Sequence, residues 1–318
     1  MAVKLSQAKL NVTDDLQLGI IDEFAKSSYI LNNIDFDDCV SPVGGGATLT
    51  YGYTRLVTQP TAAFRAVNSE YAPSEVEKQR YTTDLKVFGG SFEIDRIIAG
   101  MGGIASEVAL QASQKAKAAS ALFSDTIING NSATDENTFD GLDVALTGSD
   151  TEYNVDGAAI DLSTSAQVTA NYTEFTDKLD EFLLTLDRTP NALAMNSKML
   201  AKMRAVARRA VMYQTSKDDY GRQVEYYGEI ALVDLGAKPG SNAPVVGIKE
   251  DGTTSIYAIS FGMDAFHAIS MAGHAPVQIW LPDFTTAGAV KKGEVEMVAG
   301  CALKTTKSCG VFRNIKVQ

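Results

Sequence analysis

Basic residues are scarce in this chain. Twenty-eight lysines and arginines stand against 39 aspartates and glutamates in 318 residues, a formal net charge of −11. Phosphate neutralisation needs Lys and Arg in excess, so general nucleic-acid binding is disfavoured. An acidic surface lining a space that holds DNA stays compatible, because it would repel rather than bind. Histidine is scarcer still. His267 and His274 are the only two, and neither has a cysteine or carboxylate at ligand spacing, so neither reads as a metal ligand or a general base. The three cysteines, Cys39, Cys301 and Cys309, are an odd number in no metal spacing. They read as reduced packing residues of a cytoplasmic protein. No N-terminal stretch has the layout of a signal peptide, and no run of ~18 apolar residues could span a bilayer. The chain is therefore expected in the cytosol, with no membrane partner. P-loop, H-E-x-x-H and G-x-S-x-G patterns are all missing. Asp22-Glu23, Asp35 with Asp37-Asp38, and Asp218-Asp219 are acid clusters without a positioned partner. A non-enzyme without a cofactor is the reading.

What is present suits a large globular protein: 45% of the residues are hydrophobic and 21% charged, enough for one large or two medium domains. The organising stretch is 104–129, free of proline and internal glycine until Gly130. Ile104, Val108, Ala112, Ala119, Phe123 and Ile127 fall on one helical face, and good helix formers fill the rest. The spacing predicts a rod of ~38 Å. Its alanine-rich stripe suits close contact with another backbone. Before it, Leu16, Ile20, Phe24 and Leu31 predict a short amphipathic helix in an N-terminal arm, and Gly44-Gly45-Gly46 a hinge.

From Thr48 the period changes to two. Leu49, Tyr51 and Tyr53, then Tyr81, Thr83, Leu85 and Val87, alternate as half-buried strands. Phe92 and Ile94 continue the second run past an expected break at Gly89-Gly90. Between the runs lies a polar, turn-rich tip carrying Phe64 and Tyr71. An isolated two-stranded hairpin is marginal in water, so this arm must rest on another surface. A neighbouring copy and its own domain are both open at this point. Beyond the long helix, 147–169 reads as turns and short strands, and 173–186 as a helix. Residues 191–195 read as a buried strand, 198–212 as a helix, and 230–233, 243–248 and 254–259 as short strands. Further strands follow at 277–281, 294–304 and 311–317, the last with Val311, Arg313, Ile315 and Val317 on one face. The helix–strand–helix unit signals an α+β core.

Two constellations invite chemistry. Gly100-Met101-Gly102-Gly103-Ile104-Ala105 matches G-x-G-x-x-A at a helix start, the layout that cradles a pyrophosphate. The preceding strand carries Glu93, Asp95 and Arg96, where a central parallel strand would be almost continuously apolar. No second strand with a terminal acid follows the helix. The glycines read better as a hinge than as part of a nucleotide-dependent enzyme. Lys198, Lys202, Arg204, Arg208 and Arg209 make a basic helix, interspersed with Met199, Leu200, Met203 and Val206. A phosphate contact is one reading and a solvated face the other.

The order of parts resembles the major capsid proteins of tailed bacteriophages with the HK97-type fold. Thr138-Phe139-Asp140-Gly141-Leu142 resembles the F-x-G-L passage after their long helix. Ala192-Leu193-Ala194-Met195-Asn196-Ser197, Tyr227-Gly228-Glu229-Ile230, Tyr257-Ala258-Ile259-Ser260-Phe261-Gly262 and Val311-Phe312-Arg313-Asn314-Ile315 resemble their central and terminal strands. The resemblance implies an N-terminal arm (1–43), an extended β-hairpin loop (44–90), a peripheral domain (91–149 and 261–318) with spine helix 104–129, and an axial domain (150–260). It implies self-association into hexamers and pentamers of an icosahedral shell around double-stranded DNA, with a portal as partner, a virion location and host cytoplasm during assembly. Because the spine helix begins so early, a separate scaffolding protein is expected. Phe24, Phe64, Arg65, Tyr71 and Arg80 are the implied intersubunit contacts, and Lys202, Arg208 and Arg209 the candidates to face DNA. A bacterial compartment shell of the encapsulin kind shares the fold and is the alternative.

Overall fold

A computed structural model describes residues 29–41, 48–58, 60–100, 107–210, 214–217, 223–238, 240–241 and 243–318. Phe24 and most of the expected N-terminal helix, the 44–46 hinge and the glycines at 102–103 lie outside them. Two sheets carry the chain. The first has five strands among the described residues: β1 (Phe36–Val40), β4 (Lys86–Asp95), β12 (Phe266–Met271), β13 (Val277–Trp280) and β14 (Val290–Leu303). β1 runs parallel to β12, and β14 is antiparallel to β12, β13 and β4.

The second sheet has eight, in the order β5 (Glu152–Tyr153), β15 (Gly310–Lys316), β11 (Thr253–Ile259), β7 (Ala192–Met195), β10 (Ile230–Asp234), β9 (Gln223–Tyr227) and β8 (Gln214–Lys217), with β6 (Ile160–Asp161) beside β15. β2 (Thr50–Leu56) and β3 (Lys78–Asp84) pair only with each other among the described residues. The helices are α1 (Tyr29–Asn33), α2 (Arg96–Gly100), α3 (Glu107–Asn129), α4 (Leu142–Leu146), α5 (Ser165–Leu184) and α6 (Ser197–Ala210).

α3 is 23 residues long, ~34 Å of rod. Its stripe of Ala112, Ala116, Ala119, Phe123 and Ile127 is fully or almost fully buried. The small side chains let the helix lie close across β4 and β14. Phe123 fills the centre, stacked on Phe88 at 5.8 Å and on Phe36 at 6.4 Å, with Phe139 tilted against it at 6.1 Å. That contact explains the passage after the helix. Phe139 and Leu142 turn inward, Asp140 accepts the Ser132 amide at 2.8 Å, and a Cβ on Gly141 would lie 2.6 Å from the Thr126 carbonyl oxygen.

Two apolar cores share the eight-stranded sheet. Tyr257, Ile259 and Val311 point into the core built with α3, α4 and the five-stranded sheet. Ile256, Ala258 and Phe312 point into the core built with α5 and α6. β11 is buried at every position, its polar start Thr253-Thr254-Ser255 included.

Several expectations change. Gly89-Gly90 is no break: β4 runs straight through it, paired with β14 from Lys86 to Asp95. Gly89 is there because strand and partner come too close for a side chain; a Cβ would meet the Val295 carbonyl. α5 starts at Ser165 rather than 173, because Thr164 caps it by accepting the Gln167 amide at 3.2 Å. Residues 243–248 form only a bridge, Ala237 with Pro244. In β15, Val311 and Ile315 do not share a face: Asn314 takes φ 58° and the register shifts, so Ile315 and Val317 join Phe312 in the second core. Cys39 is exposed instead of packed, whereas Cys301 and Cys309 are buried free thiols.

Candidate assembly interface

The hairpin β2–β3 is the feature that the two cores do not need. Its strands pair in continuous register from Thr50 with Asp84 to Leu56 with Lys78. Val57 extends the ladder to Glu77 at 2.9 Å. Tyr51, Tyr53 and Arg55 alternate onto one face, as period two dictates, and that face is seated on the same chain. Tyr53 OH donates to the Leu303 carbonyl at 2.9 Å, and Arg55 donates to the carbonyls of Leu303 (2.7 Å) and Lys304 (3.0 Å). The Arg55 guanidinium lies 4.2 Å over the Tyr81 ring, which stacks on Tyr53 at 5.8 Å. Cation–π contact and two carbonyls together fix the arginine's direction.

Nearer the sheet, Tyr51 OH donates to Asp37 at 3.2 Å, and its ring meets the edge of His267 at 5.8 Å. Val40, Leu85, Ile269 and Ala302 form a small apolar cluster beneath. Burial raises the Tyr51 and Tyr53 phenols above the ordinary tyrosine value, so both remain donors.

Beyond Leu56 the arm leaves the molecule. Residues 60–77 contain a turn at Asn68 (φ 70°) and no strand. Thr61 and Ser74 tie the loop across by an amide-to-hydroxyl bond of 3.1 Å. Apolar side chains point outward here. Phe64 is 107% exposed and Val67 89%. Leu56, Val57 and Tyr71 are each more than half exposed. Arg65 lies over Tyr71 at 5.3 Å and donates to the Ser69 carbonyl at 3.1 Å. Arg80 lies on the outer face of the hairpin across Gly52, where a Cβ would stand 3.0 Å from its guanidinium. Single exposed apolar residues are ordinary, but a run of them on one projecting element marks a surface awaiting cover. Phe64, Arg65, Tyr71 and Arg80 thus all lie on one arm.

The basic residues lie elsewhere, on α6. Lys202 donates to the Ser163 carbonyl at 2.5 Å. Arg209 donates to the Ser165 carbonyl and hydroxyl, the Thr169 hydroxyl and the Ala205 carbonyl. Both hold the start of α5. Arg204 grips Glu225 with 2.8 Å contacts, and Arg208 is exposed, reaching back to the Arg204 carbonyl at 3.1 Å. Of the residues that seat the arm, Arg55 and Lys304 were not singled out from sequence, and Asp37, Tyr51, Tyr53 and His267 were noted there without this role. The Tyr-x-Tyr-x-Arg spacing of β2 was the available signal, since it places two aromatics and a cation on one strand face.

The glycine motif lies outside the described residues beyond Gly100, but the strand that leads to it is placed. β4 is an antiparallel strand whose one partner among the described residues is β14, and it runs into α2 (Arg96–Gly100). β4 is thus not the parallel strand at whose end that chemistry places its crevice. No group of three His, Cys, Asp or Glu side chains among the described residues could hold a metal ion. No helix among them is long and apolar enough to cross a membrane. A groove lined by Leu183, Leu184, Leu186, Pro190 and Ile230 has Asp180 and Arg188 at its rim. Asp180 accepts Tyr227 OH at 2.7 Å and Arg188 is paired with Asp264 at 2.7 Å, so both charges are already engaged.

In sequence the chain matches no family model and no curated protein. In structure it is similar to solved shells. The holo-SrpI encapsulin complex from Synechococcus elongatus PCC 7942 superposes with a TM-score of 0.61 at 14% identity, over 91% of this chain and 88% of that one. Mycobacterium phage Bobi gives 0.56 at 12% identity, over 92% and 91%. The capsid of a native GTA particle gives 0.55 at 10% identity, over 84% and 85%. A mixed helix-and-strand chain with this element order, matched over nearly its whole length to such shells, has the HK97-type capsid fold.

Proposed function

We propose that this protein is the major shell subunit of a phage-type capsid, assembling as hexamers and pentamers into an icosahedral container for double-stranded DNA. The observation that carries the reading is the hairpin arm: anchored at its base on its own sheet, bare and apolar at its tip, on a fold shared with shell proteins. The tip residues Phe64, Arg65, Tyr71 and Arg80 would cover a neighbouring subunit, and the N-terminal arm with Phe24 would cross between subunits. In this reading α3 is the spine helix. The five-stranded sheet belongs to the peripheral domain (91–149 and 261–318), and most of the eight-stranded sheet to the axial domain (150–260). Portal and a separate scaffolding protein would be the assembly partners in the host cytoplasm, and the virion the final location. DNA would be enclosed without sequence-specific contact, with Arg208 better disposed to meet it than Lys202 or Arg209, which hold α5.

Deleting residues 60–75 tests the clasp. We expect a subunit that folds and melts like the parent but yields few closed particles by electron microscopy and size-exclusion chromatography. Shells of normal yield and stability would overturn the reading. The encapsulin match supports a second reading, a compartment that holds enzymes. Particles purified from the native cell decide between the two, by whether they contain nucleic acid or a protein cargo.

A further inference from the structure

His267 is the most isolated polar side chain under the arm. It is fully buried, and neither ring nitrogen has a side-chain hydrogen-bond partner. A buried imidazole without such partners is costly and calls for a reason. Its surroundings supply one. From the β1 side come Asp35 and Asp37, the latter also bonded to the Cys39 thiol; from β2, Tyr51; from the end of β14, Lys304. Asp37 Oδ2 lies 4.0 Å from His267 Nε2 and at the same time accepts Tyr51 OH at 3.2 Å. The Lys304 ammonium donates to the Met263 carbonyl at 2.7 Å and lies 5.6 Å over the Tyr51 ring. Arg55 holds the carbonyl of that same Lys304. One carboxylate therefore stands between a donor that seats the arm and an imidazole that, once charged, would compete for it.

We propose that His267 is an acid-operated latch on the seat of the hairpin arm: when protonated, its ring takes Asp37 from Tyr51 and loosens the base of the arm from the five-stranded sheet. The new charge also faces the Lys304 ammonium across a half-buried cluster, where like charges repel more strongly than in bulk water. Tyr51, in edge contact with the ring, gives way first. Burial, followed by the Lys304 charge, holds His267 below the ordinary histidine value, against the opposing pull of Asp37, the Ala265 backbone carbonyl and Asp35. The neutral ring thus belongs to the seated state. Its contribution is complete above the ordinary histidine range and is lost as pH falls through that range toward the depressed folded value. Cys39 does not compete: partial burial, a bond to Asp37 and the Asp37 charge push its thiol up to about 11. Any consequence for assembly rests on the reading of the arm as a clasp; the latch does not.

Amide hydrogen exchange on the full-length subunit tests it, comparing parent and His267→Gln at about pH 8 and about pH 5, corrected for intrinsic rates. In the parent, protection of β2 and β3 is expected to be lost on acidification, and His267→Gln is expected to stay flat. Equal loss in both proteins, or no loss in the parent, would overturn the proposal. Should His267→Gln not fold, the ring resonances decide, with His274 as the internal reference. The His267 signal must titrate together with the loosening of β2, and loosening without it sinks the latch. Failure of the clasp reading, through shells that form without residues 60–75, would leave this titration untouched.

Discussion

Gly89 shows what a single position can demand. Its neighbour across the sheet is backbone, not a yielding side chain, so even a methyl has nowhere to go. Gly89→Ala is expected to destabilise by about 1–3 kcal/mol through overpacking, read as a lower urea midpoint with unchanged slope. Pairwise glycines in a sequence resemble a break because turns use them so often; here the local pattern could not reveal that β14 passes opposite. Asn314 carries the same lesson. Its left-handed backbone re-aims the strand by one residue, and period-two reading from Val311 to Val317 had no means of seeing the register shift. By contrast Phe123, Ala112 and Ala119 were legible, because helical spacing and helix propensity agree there.

Elements were legible where amphipathicity is strong and obscure where a cap or a partner decides. α5 gained its first turns from Thr164 and from α6, whose Lys202 and Arg209 hold residues 163–169. The early turns bury only Val168, so a search for an apolar stripe begins too late. Thr164→Ala is expected to cost about 1 kcal/mol and to raise amide exchange in the first turn while sparing the turns around Phe175 and Leu179. The hairpin divides at Leu56. The seated part answers to the chain's own sheet, and the bare part is the half for which the neighbouring-copy reading is proposed.

For the whole molecule, the joint between the cores matters most. Arg313 sits there, pairing with Asp143 at 2.9 Å and with Glu152, and donating to the Thr147 hydroxyl at 3.1 Å. Tyr257 OH donates to the same Asp143 at 2.8 Å. α4, β5, β11 and β15 thus meet on one guanidinium. Removing it would strand Glu152, whose side chain is only 8% exposed. Arg313→Ala is expected to destabilise by about 3 kcal/mol, and Arg313→Lys to recover less than half, since a point charge cannot fork between two carboxylates. Thermal and urea unfolding of both variants would check it. The sequence marked Val311-Phe312-Arg313-Asn314-Ile315 as strand but gave no sign of this junction, whose acids are remote in the chain.

Tyr53 and the carbonyl it holds are 250 residues apart in sequence. Closing so long a loop is slow compared with local folding. The hairpin ladder closes locally, but its seat exists only after β12 and β14 have paired. A newly made subunit therefore passes through an interval in which the hairpin has no seat and is only marginally formed. A copy whose second half is still unfolded cannot present its arm in the bearing that a finished copy does. Its exposed phenylalanine and valines are meanwhile a hazard that a chaperone would be well placed to cover.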